Sequence, residues 1–164
     1  MDYETNEFHV GMADSKSAKA PTVLTSLGLG SCVGVVLYYA REKIGGLAHI
    51  MLPEIELVKN KSNRAKFANT AIPDLLEKME ALGADRRFVK AKIMGGAHMF
   101  GFSKTNKIFN IGERNIEKTR EVLQSLNIRI AAEDVGGSHG RSLYFYLETG
   151  DVRVRTIAHG ERTL

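Results

Sequence analysis

Tryptophan is absent from this chain, cysteine occurs once, and proline occurs three times in 164 residues. A single cysteine excludes an internal disulfide and fits a reducing compartment, so a cytoplasmic location is expected. No apolar run approaches the roughly 20 residues needed to cross a bilayer, which argues against direct membrane insertion. The N-terminal residues 1–17 are polar and start acidic, without the basic region and apolar core of a secretory signal. Basic runs interleaved with aromatics are missing as well. The net charge of +4 is spread along the chain. This pattern disfavours nucleic acid and leaves a mild preference for an acidic partner.

Cofactor signatures are equally scarce. His9, His98, His139 and His159 are scattered, with no H-E-x-x-H or paired-cysteine spacing, so no metal is expected. Gly28 and Gly30 start a dinucleotide-like pattern, but Val33 stands where its third glycine belongs. Ser31 lacks the flanking glycines of a hydrolase elbow.

What is present centres on Thr25–Leu52. A glycine turn, Gly28-Leu29-Gly30-Ser31, leads into Cys32. The β-branched run Val33–Tyr39 follows, then a polar break, then the apolar run Ile44–Leu52 that contains His49. Two strand-like runs about a short break predict a β-hairpin. Antiparallel pairing about Ala40 and Arg41 sets Cys32 opposite His49, roughly 4.5–5.5 Å apart at Cβ.

Elsewhere, residues 6–13 and 22–27 read as strands flanking a flexible loop from Ser15 to Pro21. Phe67, Ala71, Leu75, Met79 and Leu82 recur at helical spacing. Pro73 implies either a helix capped near Asn69 or Thr70, or a kink in a longer one. Phe88–Met94 predicts a strand, residues 98–109 irregular chain, and Asn110–Glu113 a capping box opening a second helix. Ile128–Ala132 is a further strand, and residues 143–147 with Val152 and Val154 form a last hairpin. The expected class is α+β, one domain over 1–164, with helices packed on sheet. Residues 1–19 are either a flexible tail or an added strand.

On composition alone Cys32 is a small buried hydrophobe, and His49 is a core histidine satisfied by a carbonyl. Position raises the alternative. Cys32 stands at a glycine turn whose N–H groups are able to hold an oxyanion, with an imidazole in reach to activate its thiol. Such a histidine needs an orienting third group. Ser26 is the preferred candidate and Thr25 its neighbour. Gly30 and Ser31 in the turn, with Gly95 and Gly96, are candidate substrate-binding positions, and Gly95-Gly96-Ala97, Gly136-Gly137 and Gly140-Arg141-Ser142 are candidate walls of a cleft beside Cys32; a structural role is the commoner one for any glycine.

The runs LGLGSC (Leu27–Cys32), GLAHIMLP (Gly46–Pro53), IMGGA (Ile93–Ala97), NIGERN (Asn110–Asn115) and AEDVGG with GRS (Ala132–Gly137, Gly140–Ser142) together resemble CheD. This is the family of chemoreceptor glutamine deamidases. The resemblance implies a layered α/β/β sandwich like the catalytic domain of cytotoxic necrotizing factor toxins. It implies Cys32 as nucleophile, His49 as base and no cofactor. The family's third position is usually threonine and falls here on Ser26, with Thr25 adjacent. Implied partners are methyl-accepting chemoreceptors and a CheC-type phosphatase. Implied activities are deamidation of receptor glutamines through a thioester, and hydrolysis of receptor glutamate methyl esters. The competing expectation is a non-catalytic adaptor between receptor and phosphatase.

Overall fold

The computed structural model describes residues 5–99 and 110–164. Its elements, in chain order, are β1 (Glu7–His9), β2 (Ser15–Lys19), β3 (Val23–Leu29), β4 (Val33–Tyr39), β5 (Ile44–Ile50) and α1 (Ala68–Ala81). Then come β6 (Lys90–Gly95), α2 (Ile111–Ser125), β7 (Arg129–Val135), β8 (Arg141–Tyr146), β9 (Asp151–Thr156) and β10 (Gly160–Thr163). Among the described residues the strands form two five-stranded sheets, in the orders β1-β3-β8-β9-β10 and β2-β5-β4-β6-β7.

Side-chain alternation along β4 explains the layering. Val33, Val35, Leu37 and Tyr39 point one way and pack with Ala71, Ile72, Leu75 and Met79 of α1 and Leu123 of α2. Val36 points the other way, into a second core with Leu24, Leu143, Phe145, Val152 and Val154. A strand with period-two side chains buried on both faces must lie between two layers. The result is helices on one sheet and that sheet on the other. Strand β5 shows how tightly they meet, since a Cβ on Gly45 would lie 2.6 Å from the Phe145 ring.

Several sequence expectations are corrected. The segment Ser15–Lys19, read as flexible loop, is strand β2, antiparallel to β5. Its alternation is too weak to see because Ser, Lys and Ala dominate it, and sheet-edge pairing supplies the order. Strand β10 also went unforeseen, for similar reasons of polar composition. Helix α1 starts at Ala68 and carries Pro73 within its second turn. Its missing N–H therefore removes one bond near the start of the helix. Asn110 precedes α2 but makes no side-chain cap, although Glu113 lies in the first turn. Most of the expected irregular segment 98–109 lies outside the described residues.

Candidate functional site

Three segments converge where the sheets meet at one end. Strand β3 supplies Ser26 from one sheet, β5 supplies His49 from the other, and Cys32 lies in the turn before β4. The β4–β5 hairpin pairs Gly34, not Cys32, with His49. The turn takes four residues, 40–43, so the register lies two residues from the expected one. A shift of two preserves the face. His49 therefore still projects on the side of β4 that continues to Cys32, and the residue directly opposite it has no side chain.

The imidazole is 2% exposed. Ser26 Oγ lies 2.8 Å from His49 Nδ1, and the same hydroxyl donates to the Val10 carbonyl at 2.7 Å. A hydroxyl has one proton, and a carbonyl only accepts. Ser26 Oγ must therefore accept from His49, which assigns the proton of the neutral ring to Nδ1. Nε2 is left with its lone pair, and no described group bonds to it. Thr25, the alternative third residue, lies instead 3.5 Å from His9 Nδ1. The two neighbours differ because adjacent strand positions face opposite ways. Ser26 enters the space between the sheets, while Thr25 lies on the opposite face of β3, where it is also buried.

Burial shapes the protonation of both Cys32 and His49. It pushes the half-buried Cys32 thiol above its ordinary value of 9.0. Burial also lowers His49 from its ordinary 6.5, against an upward pull from the Val10 carbonyl and with a further downward push from His9. At neutral pH the thiol and the imidazole are thus both neutral at rest. Folded His49 binds a proton more weakly than unfolded His49. Its contribution to stability is complete above about 6.5 and is lost as pH falls through the lowered folded value.

The turn that carries Cys32 is held by its carbonyls. Ala97 N–H donates to Gly30 O at 2.9 Å and Gly96 N–H to Cys32 O at 2.8 Å. Asn115 Nδ2 donates to Ser31 O at 3.0 Å. Gly95, at φ +102, is pressed against this turn so closely that a Cβ would lie 2.3 Å from Cys32 O. Gly95 and Gly96 therefore stand behind the Cys32 main chain. Gly30 and Ser31 belong to the turn itself, and no described group accepts from the N–H of Ser31 or Cys32.

Two polar residues hold the site together: Arg141, expected from sequence only as part of a cleft wall, and Asn115, which carried no role in the sequence reading. Arg141 of β8 is 3% exposed. It pairs with Asp134 of β7 at 2.9 Å, tying one sheet to the other, and donates to the carbonyls of Gly136 at 2.6 Å and Gly95 at 3.4 Å. Asn115 is wholly buried on α2. Both lie in motifs noted above, but Arg141 reaches Gly95 O across 46 residues and Asn115 reaches Ser31 O across 84. Among the described residues no group of three or more His, Cys, Asp or Glu side chains is placed to hold a metal. No described helix is long and apolar enough to cross a membrane.

Residues 51–156 match the family model described as CheD chemotactic sensory transduction. A protein of Caldanaerobacter subterraneus subsp. tengcongensis named probable chemoreceptor glutamine deamidase CheD is 49% identical over 157 residues, covering 96% of this chain and 97% of its own. A protein of Clostridium novyi bearing that name is 49% identical, covering 97% and 98%. The chemoreceptor glutamine deamidase CheD of Halalkalibacterium halodurans is 49% identical, covering 94% and 96%. By family model and by near-full-length identity, this chain belongs to the CheD family.

Proposed function

We propose that this protein is a chemoreceptor glutamine deamidase that works through Cys32, His49 and Ser26. The observation that carries the reading is the Ser26–His49 hydrogen bond, which leaves Nε2 of the proposed base unprotonated. His49 Nε2 takes the thiol proton as Cys32 Sγ attacks the side-chain amide carbon of a receptor glutamine. The Cys32 N–H stabilises the developing oxyanion. Collapse breaks the C–N bond, and His49 gives its proton to the departing ammonia, leaving a thioester. Water then attacks as His49 takes its proton. The acyl–sulfur bond breaks, the proton returns to Cys32 Sγ, and glutamate is released. A receptor glutamate methyl ester enters the same cycle, with methanol as leaving group. The α/β/β layering suits the likeness to cytotoxic necrotizing factor catalytic domains, and the positive net charge suits receptor helices rich in glutamate.

The deciding measurement is ammonia release and product mass with receptor cytoplasmic fragments, for wild type beside Cys32→Ala. Glutamine-to-glutamate conversion that disappears in the variant supports the enzyme. A folded, reduced wild type that converts nothing would instead point to an adaptor for receptors and a CheC-type phosphatase.

Two further outcomes follow from the base. Because His49 must be neutral to accept a proton and its pKa is depressed, kcat/KM stays high as pH falls past 6.5. The acid limb of the pH–rate profile lies below that value; a limb above it would count against His49 as the buried base. Ser26→Ala removes the acceptor that orients the ring and supports the imidazolium. Loss of a hydrogen bond to a group becoming charged, about 1.5–3 kcal/mol, predicts roughly 10- to 100-fold lower kcat. Ser26→Thr keeps the hydroxyl and retains most activity in the same assay.

A further inference from the structure

We infer that Asn115 is a positioning residue: it aims the Cys32 N–H at the oxyanion and holds the nucleophile turn in register with the strand that bears His49. The inference rests on the Cys32–His49 reading above.

Asn115 lies in the first half of α2 and is fully buried. Its amide Nδ2 donates to Ser31 O at 3.0 Å and to Met51 O at 3.0 Å. Both acceptors are carbonyls, so only the NH₂ end of the amide satisfies them, and the side-chain orientation follows from chemistry. The two amide protons are thereby spent on two different segments. Ser31 precedes the nucleophile directly, and Met51 lies two residues beyond His49.

Peptide planarity turns the first bond into a catalytic device. The Ser31 carbonyl and the Cys32 N–H belong to one rigid trans peptide and point in opposite directions. Fastening Ser31 O to Asn115 therefore sends the Cys32 N–H away from α2. The flanking carbonyls, Gly30 O and Cys32 O, are fastened by Ala97 and Gly96 N–H groups. A donor immobilised before the reaction stabilises an oxyanion without reorganising during it. The second bond, to Met51 O, ties the same side chain to the end of β5, so one amide bridges nucleophile and base.

The cost of keeping Asn115 supports a role beyond packing. Its Oδ1 is buried without a described partner, and so is the hydroxyl of Thr119 one turn later. Such groups destabilise a core, by about 1–3 kcal/mol each. An apolar side chain at position 115 would avoid that cost and forfeit the bridge.

The test uses the full chain and two variants, Asn115→Leu, alike in branching but larger and without donors, and the smaller Asn115→Ser. Each is assayed for deamidation of a receptor fragment and for alkylation of Cys32 by iodoacetamide across pH. Alkylation is a displacement at saturated carbon and needs no oxyanion donor. The expected result is kcat about 100-fold lower with KM and the alkylation profile both within about threefold of wild type. Unchanged kcat would overturn the inference. So would kcat and alkylation falling in parallel, as general loosening of the site produces, or failure of both variants to fold. Full deamidation by Cys32→Ala would instead sink the cysteine reading, independently of Asn115.

Discussion

Replacing Cys32 with alanine is expected to lower deamidation of a receptor fragment by about 10⁴-fold or more, because the proposed thioester route is lost and no second thiol exists. His49→Gln produces a loss of similar order. The resting thiol is held neutral by burial, so without the imidazole nothing removes its proton at neutral pH. Residues that act as one unit are strongly non-additive. The double variant is therefore expected to be no slower than the worse single one. Activities that multiplied in the double variant would mean that the two side chains act in separate steps. Thermal unfolding supplies the control. Cys32 lies at the rim of the core, so its truncation by one sulfur shifts the midpoint little, and lost activity is not lost fold.

The largest effect on stability is expected at Arg141. Arg141→Met strands Asp134, whose remaining cation, Arg162, is 3.6 Å away and largely exposed. It also strips donors from the carbonyls of Gly95 and Gly136. Removing one member of a buried pair costs about 3–5 kcal/mol. For a chain of this size that is roughly 6–20 °C in Tm. Adding Asp134→Leu to Arg141→Met removes the stranded charge, and part of the stability returns. Activity is expected to return less fully, since the carbonyls of Gly136 and Gly95 both lose Arg141 and Gly95 O keeps only the Gly136 N–H at 2.9 Å. Recovery of both together would show that Arg141 serves the fold only through its charge. A shift of under 2 °C in the single variant would show that the inter-sheet pair contributes little.

Much of the layout was legible from local chemistry. The β-branched run Val33–Tyr39, the i, i+3, i+4 apolar spacing of Ala71, Leu75 and Met79, and the alternation around Val152 and Val154 each report burial on a period that only one kind of element satisfies. These signals sufficed for a mixed fold with two helices against sheet. They failed for β2 and β10, whose polar residues carry no period, and whose order comes from backbone pairing with β5 and β9. The hairpin's register also escaped, because the length of a turn is decided by the φ values its residues adopt. Lys43 takes the left-handed region, φ 52, and stretches the turn by two positions.

By itself, the sequence determined which reactive groups exist: one thiol, one histidine on the following hairpin strand, and hydroxyls six and seven residues before the thiol. Tertiary structure alone decided how they are arranged. Whether Ser26 or Thr25 meets His49 depends on which face of β3 turns inward, a property of the sheet-on-sheet contact. The tautomer of His49 depends on Val10, brought over by the chain leaving β1. The aim of the Cys32 N–H depends on Asn115, 84 residues from the carbonyl it holds. Local sequence encodes burial and conformational preference, which act over a few residues. Hydrogen bonds between distant segments come into being only when packing closes the loops between them.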